Sequence, residues 1–152
     1  MENFQAQFFL APKPVGDGTY VMARHISPGT EFPLIAAVAD TGKFVGAILA
    51  EPEKYEGKTF HAATAVYTLD EIIILLSKSC GKTIFHKQIS VEEFKNSVPF
   101  FAEVFTEGYS FGEEFGYFGP DTKELVAWAA ANARGKLTTF EEFLEEHPFQ
   151  LE

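Results

Sequence analysis

The chain has 152 residues, with 46% hydrophobic and 15% aromatic residues, which is typical of a globular protein with a packed core. Its net charge of −10 argues against binding to nucleic acid or to anionic membranes, because both require clustered lysine and arginine. The single cysteine, Cys80, excludes an internal disulfide and, since neither a signal-peptide pattern nor a long apolar run is visible, favours the cytoplasm.

The first third of the chain reads as short elements separated by turns. Proline, glycine and apolar patterns predict, in order, a short helix within 1–10, strands at 19–26 and 33–39, and a helix at 42–51. Asp40 is expected to cap that last helix. Phe44 and Ile48 share its apolar face, so we expect this face to lie on a sheet.

The strongest pattern lies midway along the chain and reads as strand, helix, strand. Thr68 and Glu71 have the spacing of a capping box and predict the start of the helix. Gly81 supplies the left-handed residue that ends it. Flanking strands are predicted at 58–64 and 83–89. Because the helix has almost no polar face, we expect it to be nearly surrounded at the centre of the domain.

The remaining elements are mostly helical. Capping pairs predict three helix starts, at Ser90 with Glu93, at Asp121 with Glu124, and at Thr139 with Glu142. Residues 100–117 alternate phenylalanine, acids and glycines, and are predicted to be helical only as far as Glu107. The rest of this segment is either a lid over a pocket or a loop that aromatic side chains hold in place.

Together these elements predict an α+β fold, with a small mixed sheet packed with helices, in one domain over residues 1–152. The chain contains 17 phenylalanines, more than a core of this size usually needs. They indicate either a phenylalanine-rich core or an aromatic-lined cavity for an apolar ligand.

Cofactor motifs are not found. Gly81 and the two residues after it imitate the end of a phosphate-binding loop, but Leu76 stands where the first glycine is needed and the helix precedes. Gly16 and Gly18 begin a dinucleotide fingerprint that Val21 breaks. The 4 histidines are too far apart for a metal site. The sequence therefore predicts no cofactor and no metal.

Four titratable residues could move protons. His61 and His86 lie on the strands predicted to flank the central helix, as structural residues or as general acids or bases. Glu113 and Glu114 are either solvated or, if one of them faces an aromatic cavity, able to transfer a proton at a raised pKa.

Three segments resemble proteins of the NmrA-like family, which are atypical short-chain dehydrogenases. They are Met-Glu-Asn-Phe at 1–4, Asp-Thr-Gly-Lys at 40–43 with Pro52 and Gly57-Lys58, and the ending at 135–144. The resemblance spans nearly the whole chain. It implies the C-terminal, substrate-binding half of such a protein, without the N-terminal Rossmann half that holds the nucleotide.

The resemblance also bears on activity and assembly. The family's tyrosine and lysine, four residues apart, have no counterpart in this sequence, so hydride transfer is not expected. The surface that would meet a Rossmann half is apolar and includes unpaired strand edges. A homodimer that covers this surface is therefore predicted.

The first functional hypothesis is a cofactor-independent enzyme of secondary metabolism, a cyclase or isomerase such as a Diels–Alder catalyst. It would fold an apolar substrate in an aromatic pocket and polarise a carbonyl by one hydrogen bond. The candidate catalytic residues are Asn3, His61, Tyr109, Glu113 and Tyr117. The candidate substrate-binding residues are Phe4, Phe8, Phe101, Phe105, Phe111, Phe115 and Phe118. The alternatives are a non-catalytic regulatory module that acts through protein contacts, and a gene remnant without a task.

Overall fold

A computed structural model describes residues 1–6 and 10–151. Its helices are α1 (Asn3–Ala6), α2 (Ala37–Ala50), α3 (Pro52–Tyr55), α4 (Leu69–Cys80), α5 (Val91–Ser97), α6 (Ala102–Phe115), α7 (Thr122–Asn132) and α8 (Phe140–Glu146). Its strands are β1 (Lys13–Pro14), β2 (Tyr20–Arg24), β3 (Glu31–Leu34), β4 (Ala65–Thr68) and β5 (Ile84–Gln88). In this part of the chain, every helix is too short or too polar to cross a membrane.

The strands form two small sheets. β2 is the central strand of the first sheet and pairs antiparallel with β1 and parallel with β5. β3 and β4 form a separate antiparallel pair. The parallel pairing of β2 with β5 needs a long crossover, which contains the second sheet and helices α2 to α4. This mixed arrangement confirms the α+β fold.

Helix α4 has the ends that the sequence predicts. The Thr68 hydroxyl accepts a hydrogen bond from the Glu71 N–H, and the Glu71 carboxylate accepts one from the Thr68 N–H at 2.8 Å. Gly81 ends the helix with φ 65°. Leu76 is fully buried, but Ile74 is 59% exposed. The expectation that this helix is nearly surrounded was therefore wrong, because it buries one face only.

The strands beside α4 differ from the prediction in position. Residues 58–64 form no strand, and β4 instead occupies the four residues directly before the helix. β5 lies where 83–89 predicted a strand. Because β4 pairs with β3 and β5 pairs with β2, the two strands that flank α4 belong to different sheets.

The boundary between β3 and α2 also differs. The predicted strand at 33–39 ends early, and its last residues form the first turn of α2. Asp40 lies inside that turn, fully buried, and does not cap the helix. Its carboxylate accepts hydrogen bonds from Lys43 Nζ at 2.7 Å and from the Thr138 N–H at 2.8 Å, which joins α2 to the loop before α8.

Glu2 fills the capping role that the sequence assigned to Asp40. Its carboxylate accepts hydrogen bonds from the first N–H groups of α2, those of Ala37 and Val38, both at 3.1 Å. Burial raises the pKa of Glu2, but these backbone hydrogen bonds outweigh it and lower the pKa to about 2.

Helix α6 is longer than predicted. It continues through Gly108 and Gly112 and ends at Gly116, where φ is 80°. Glycine disfavours a helix by roughly 1 kcal/mol per residue relative to alanine. Packing of the α6 face that carries Phe105 and Tyr109 against α5 and β3 offsets that cost.

Two of the three other predicted caps are confirmed. Ser90 forms a capping box with Glu93 at α5, and Thr139 forms one with Glu142 at α8. Asp121 precedes α7 without a side-chain hydrogen bond to the helix, so that predicted cap was wrong.

The main core lies where β2, α4 and α8 meet. Ile26, Leu76 and Phe140 are fully buried in it. A smaller cluster, formed by Leu10, Phe94 and Val98, lies beneath α6. Side chains of both clusters border the same internal space, so the two cores leave a cavity between them.

Candidate functional site

The cavity has a volume of about 290 Å³ and lies between the two hydrophobic clusters. Aliphatic and aromatic side chains from β2, β3, α4 and the C-terminal segment form most of its wall. Its lining residues that can form hydrogen bonds through their side chains are Asn3, Arg24, Tyr109 and Tyr117. A mostly apolar hollow with a few polar groups is the usual form of a small-molecule site.

Arg24 is the charged group in this wall. It ends β2 and shares a strand face with Met22, since side chains two residues apart point to the same side. Only 9% of Arg24 is exposed. Its guanidinium donates hydrogen bonds to the Ala23 carbonyl at 2.8 Å and the Leu10 carbonyl at 2.5 Å, and stands 5.9 Å from the centre of the Phe94 ring.

Tyr109 reaches the cavity from the middle of α6. Its ring packs against His25, Phe32 and Phe94. Burial raises the pKa of the Tyr109 hydroxyl, while the charge and hydrogen bonding of Arg24 lower it in part. The net shift is upward, so the hydroxyl keeps its proton at neutral pH and can donate a hydrogen bond.

Four of the residues proposed from the sequence lie together at the cavity, namely Asn3, Phe4, Tyr109 and Tyr117. Phe105 is adjacent, since its ring centre is 6.2 Å from that of Tyr109. Phe8 lies outside the described residues.

The other proposed residues lie elsewhere. Phe101, Phe111 and Phe115 are 69%, 55% and 50% exposed, respectively, and do not line the cavity. His61 packs edge-on against Phe118 at 4.8 Å, away from the cavity. Its Nδ1 is buried and has no hydrogen-bond partner among the described residues.

Glu113 supports the site from one helical turn beyond Tyr109. Its carboxylate accepts hydrogen bonds from the Ser27 N–H at 2.7 Å and from the Thr30 hydroxyl at 3.0 Å. Burial raises the pKa of Glu113, but these hydrogen bonds outweigh it, so the net shift is downward. The conditional expectation of a raised pKa is therefore not met, and Glu113 anchors α6 to the β2–β3 turn as a carboxylate.

Two histidines lie close to Arg24. Burial is the main cause of the lowered pKa of both His25 and His86, and the charge of Arg24 lowers each pKa further. His25 Nε2 lies 3.2 Å from both the Thr106 carbonyl and the Ser110 hydroxyl. Both histidines are therefore neutral at pH 7.

The described residues do not fit a dinucleotide. The turn that contains Gly16 and Gly18 leads into strand β2, and Gly81 ends a helix, so neither glycine site opens a helix towards a phosphate. In the same residues, no group of three or more histidine, cysteine or acidic side chains is placed to hold a metal ion.

A second, wider groove of about 690 Å³ opens beside the cavity. Phe4, residues 11–14 and residues 146–151 form its sides. It shares Phe4, Ala11, Pro12 and Phe149 with the cavity wall, so the groove and the cavity adjoin.

Arg24 is the site residue that sequence reasoning missed. The signal was present, because Arg24 follows Met22 by two residues in a predicted strand and so had to share its inward face. A basic residue on the buried face of a strand is rare unless it is paired.

The chain matches a known protein family. The family model described as the NmrA-like family matches residues 1–144 of the chain. The matched region includes almost every residue that lines the cavity, from Met1 to Tyr117, and leaves out Phe149.

Proposed function

The chain belongs to the NmrA-like family, and we propose that it binds an apolar small molecule in the cavity and promotes its cyclisation or isomerisation without a redox cofactor. The observation that carries this proposal is the cavity itself, which is lined mostly by apolar side chains and contains a few hydrogen-bonding groups.

Confinement is the proposed source of rate acceleration. A flexible polyene-like substrate loses conformational freedom when it reacts with itself, and a site that folds it beforehand removes part of that barrier. The rigidity of the walls formed by α4 and β3 supports this role, because Leu34, Leu69 and Ile72 are buried in the close-packed main core. A Diels–Alder type cyclisation is the concrete form of the proposal.

Tyr109 is the proposed hydrogen-bond donor to a substrate carbonyl. It remains protonated, and α6 holds it at the cavity through the Glu113 anchor. Asn3 and Tyr117 are further donors in the same wall. A donor aimed at a developing negative charge in a dry site contributes far more than the same group in water.

Native mass spectrometry tests this proposal. The purified chain is incubated with host metabolite extract and, separately, with NADP(H), and we expect an apolar metabolite to be retained and the nucleotide not to be. The variant Ile35→Trp places a large ring in the cavity wall, whereas Leu49→Trp places the same ring on an exposed face of α2. Only the first should abolish retention. Retained nucleotide, or equal retention by both variants, would overturn the proposal.

A second candidate is the regulatory module that acts through protein contacts. Its support is an apolar stripe on α6, formed by Val104, Phe111 and Phe115 at helical spacing, which are 66%, 55% and 50% exposed. The Phe111 and Phe115 ring centres lie 5.0 Å apart. Contiguous exposed aromatic surface is characteristic of protein interfaces.

We propose a second copy of this chain as the occupant of the stripe. Sedimentation at micromolar concentration should show a dimer, and the double variant Phe111→Glu with Phe115→Glu should shift it to monomer. Leu49→Glu, at an exposed apolar site on α2, is the matched control and should leave the dimer intact. A wild-type chain that sediments as a stable monomer contradicts this assignment.

A further inference from the structure

The charge of Arg24 is unusual for its surroundings. Among the described residues that line the cavity, Arg24 is the one with a charged side chain, although the whole chain has 22 acidic residues against 12 basic ones. In so acidic a chain, a buried arginine would be expected to pair with a carboxylate. Among the described residues, however, no carboxylate oxygen lies within 4.0 Å of the Arg24 guanidinium.

The groups that do contact Arg24 leave its charge uncompensated. Its hydrogen-bond acceptors include the carbonyls of Leu10 and Ala23 and the Tyr109 hydroxyl, and the face of Phe94 lies nearby. Carbonyls satisfy N–H donors but carry no net charge. The nearby His25 and His86 are neutral, mainly because they are buried. A buried cation without a partner is costly unless an anion joins it.

We infer that the cavity selects ligands in which an apolar body ends in a carboxylate, with the carboxylate bound by Arg24 and the Tyr109 hydroxyl. This inference rests on the proposed function, since it names the substrate class of the same cavity. Guanidinium and carboxylate match in geometry and form paired, charge-assisted hydrogen bonds. Tyr109 supplies one more donor from the same wall.

The volume limits the apolar body. A cavity of about 150 Å³ lined by aliphatic side chains holds one benzene molecule. At about 290 Å³ the cavity is roughly twice that size. The ligand portion inside it therefore has on the order of a dozen non-hydrogen atoms, and any longer chain extends into the adjoining groove.

Matched acid and amide probes test the inference on the intact chain. Phenylbutanoate and its primary amide have the same shape and differ in charge, and phenylhexanoate with its amide extends the series. Titration followed by NMR should show that each acid binds the wild-type chain about tenfold or more tightly than its amide, because a hydrogen bond to a charged group in a desolvated site is worth that much. The resonances of the Arg24 guanidinium should shift with the acids only.

Variants locate the effect. Arg24→Met replaces the charged side chain by an apolar one of similar length, so acid and amide should then bind about equally well. Tyr109→Phe should reduce the preference for the acid only in part. Arg134→Met removes the charge of an exposed arginine on the loop after α7 and should keep the full preference. If Arg24→Met does not fold, the guanidinium resonances of the wild-type chain still decide the question.

The two proposals fail in different ways. If acids and amides bind the wild-type chain equally, the cavity is a ligand site but the carboxylate assignment is wrong. If the acids are preferred and Arg24→Met retains the preference, another positive group binds the carboxylate and the assignment to Arg24 is wrong. If no probe of either kind binds, both the cavity's proposed function and this inference are overturned.

Discussion

Helices α4 and α6 differ in how they are held, although both are rich in apolar residues. α4 has a capping box at Thr68 and a left-handed glycine at Gly81, so its own sequence defines both ends. α6 begins after Phe101, which has φ 57° and makes no side-chain capping hydrogen bond. The ends of α4 are encoded locally, whereas α6 depends on contacts with distant parts of the chain.

The contacts that hold α6 are the ones that build the site. Glu113 bonds to Ser27 and Thr30, more than eighty residues earlier in the chain, and Tyr109 packs into the cavity wall. α4 contributes buried aliphatic side chains to the opposite wall. The helix whose ends are specified locally, α4, therefore supplies rigid apolar wall, whereas the helix held by tertiary contacts, α6, supplies the polar side chain of Tyr109.

The buried face of α4 is where we expect a substitution to lower the free energy of unfolding most. Leu76→Ala removes a fully buried side chain from α4, and we expect it to lower the free energy of unfolding by about 2–5 kcal/mol. Ile74→Ala on the same helix is the control, because Ile74 is 59% exposed and should cost less than about 1 kcal/mol. Urea denaturation measures both. Equal losses would mean that α4 does not have one buried face.

Substitution of Gly116, at the end of α6, should give the next largest loss of stability. Gly116 has φ 80°, and a Cβ there would overlap the carbonyl oxygen of Gly119. Gly116→Ala should therefore destabilise the chain by about 2 kcal/mol or more. Gly119→Ala separates strain from overlap, since Gly119 has φ 91° but open space around the added atom. It should cost about half as much in thermal or urea unfolding.

The anchor of α6 predicts a pH-dependent effect. Glu113→Gln weakens two hydrogen bonds to a carboxylate and should lower the free energy of unfolding at pH 7 by about 1–2 kcal/mol. Because the pKa of Glu113 is lowered by folding, this stabilisation is present above its ordinary pKa of 4.5 and disappears as the pH falls through the lowered value.

Unfolding curves of wild type and Glu113→Gln should therefore converge as the pH falls from above 4.5 through the lowered pKa of Glu113. Glu114→Gln is the matched control, because Glu114 is the next residue on the same helix and, among the described residues, does not accept the hydrogen bonds that Glu113 accepts from Ser27 and Thr30. It should change stability by less than about 0.5 kcal/mol. A difference between wild type and Glu113→Gln that is independent of pH would show that the carboxylate charge is not what anchors α6.

Local signals in the sequence predicted much of the fold. The capping boxes that begin with Thr68, Ser90 and Thr139 each fix a helix start within a few residues, so they could be found without any tertiary knowledge. Asp40 shows the limit of such signals. An aspartate before an apolar run resembles a cap, but this one is buried by bonds to Lys43 and to Thr138, far along the chain.

The cavity was predicted only in part, for the same reason. Aromatic content indicated a hollow and identified Tyr109, yet periodicity could not show that Phe111 and Phe115 face outwards while Tyr109 faces inwards, since the segment was not expected to be helical there. The sequence did carry a signal for Arg24, because its spacing from Met22 puts both side chains on the buried face of β2. What the sequence could not show is that no carboxylate of the described residues lies beside its guanidinium, since that depends on the tertiary structure.

Substitution of the glycines in the middle of α6 should change the free energy of unfolding least, and should raise it. A Cβ at Gly108 or Gly112 would meet no atom within 4 Å, and both residues are helical. Gly108→Ala and Gly112→Ala should each raise the free energy of unfolding by about 0.5–1 kcal/mol, because alanine favours the helix and restricts the unfolded chain. If tertiary contacts hold α6, both variants also keep the Glu113 hydrogen bonds and bind the acid probes as the wild-type chain does.

Gly108 also lies within the apolar stripe, so its substitution tests the dimer. A Gly108→Ala chain that is more stable but no longer dimerises would show that the absence of a side chain at Gly108 lets the second copy approach closely.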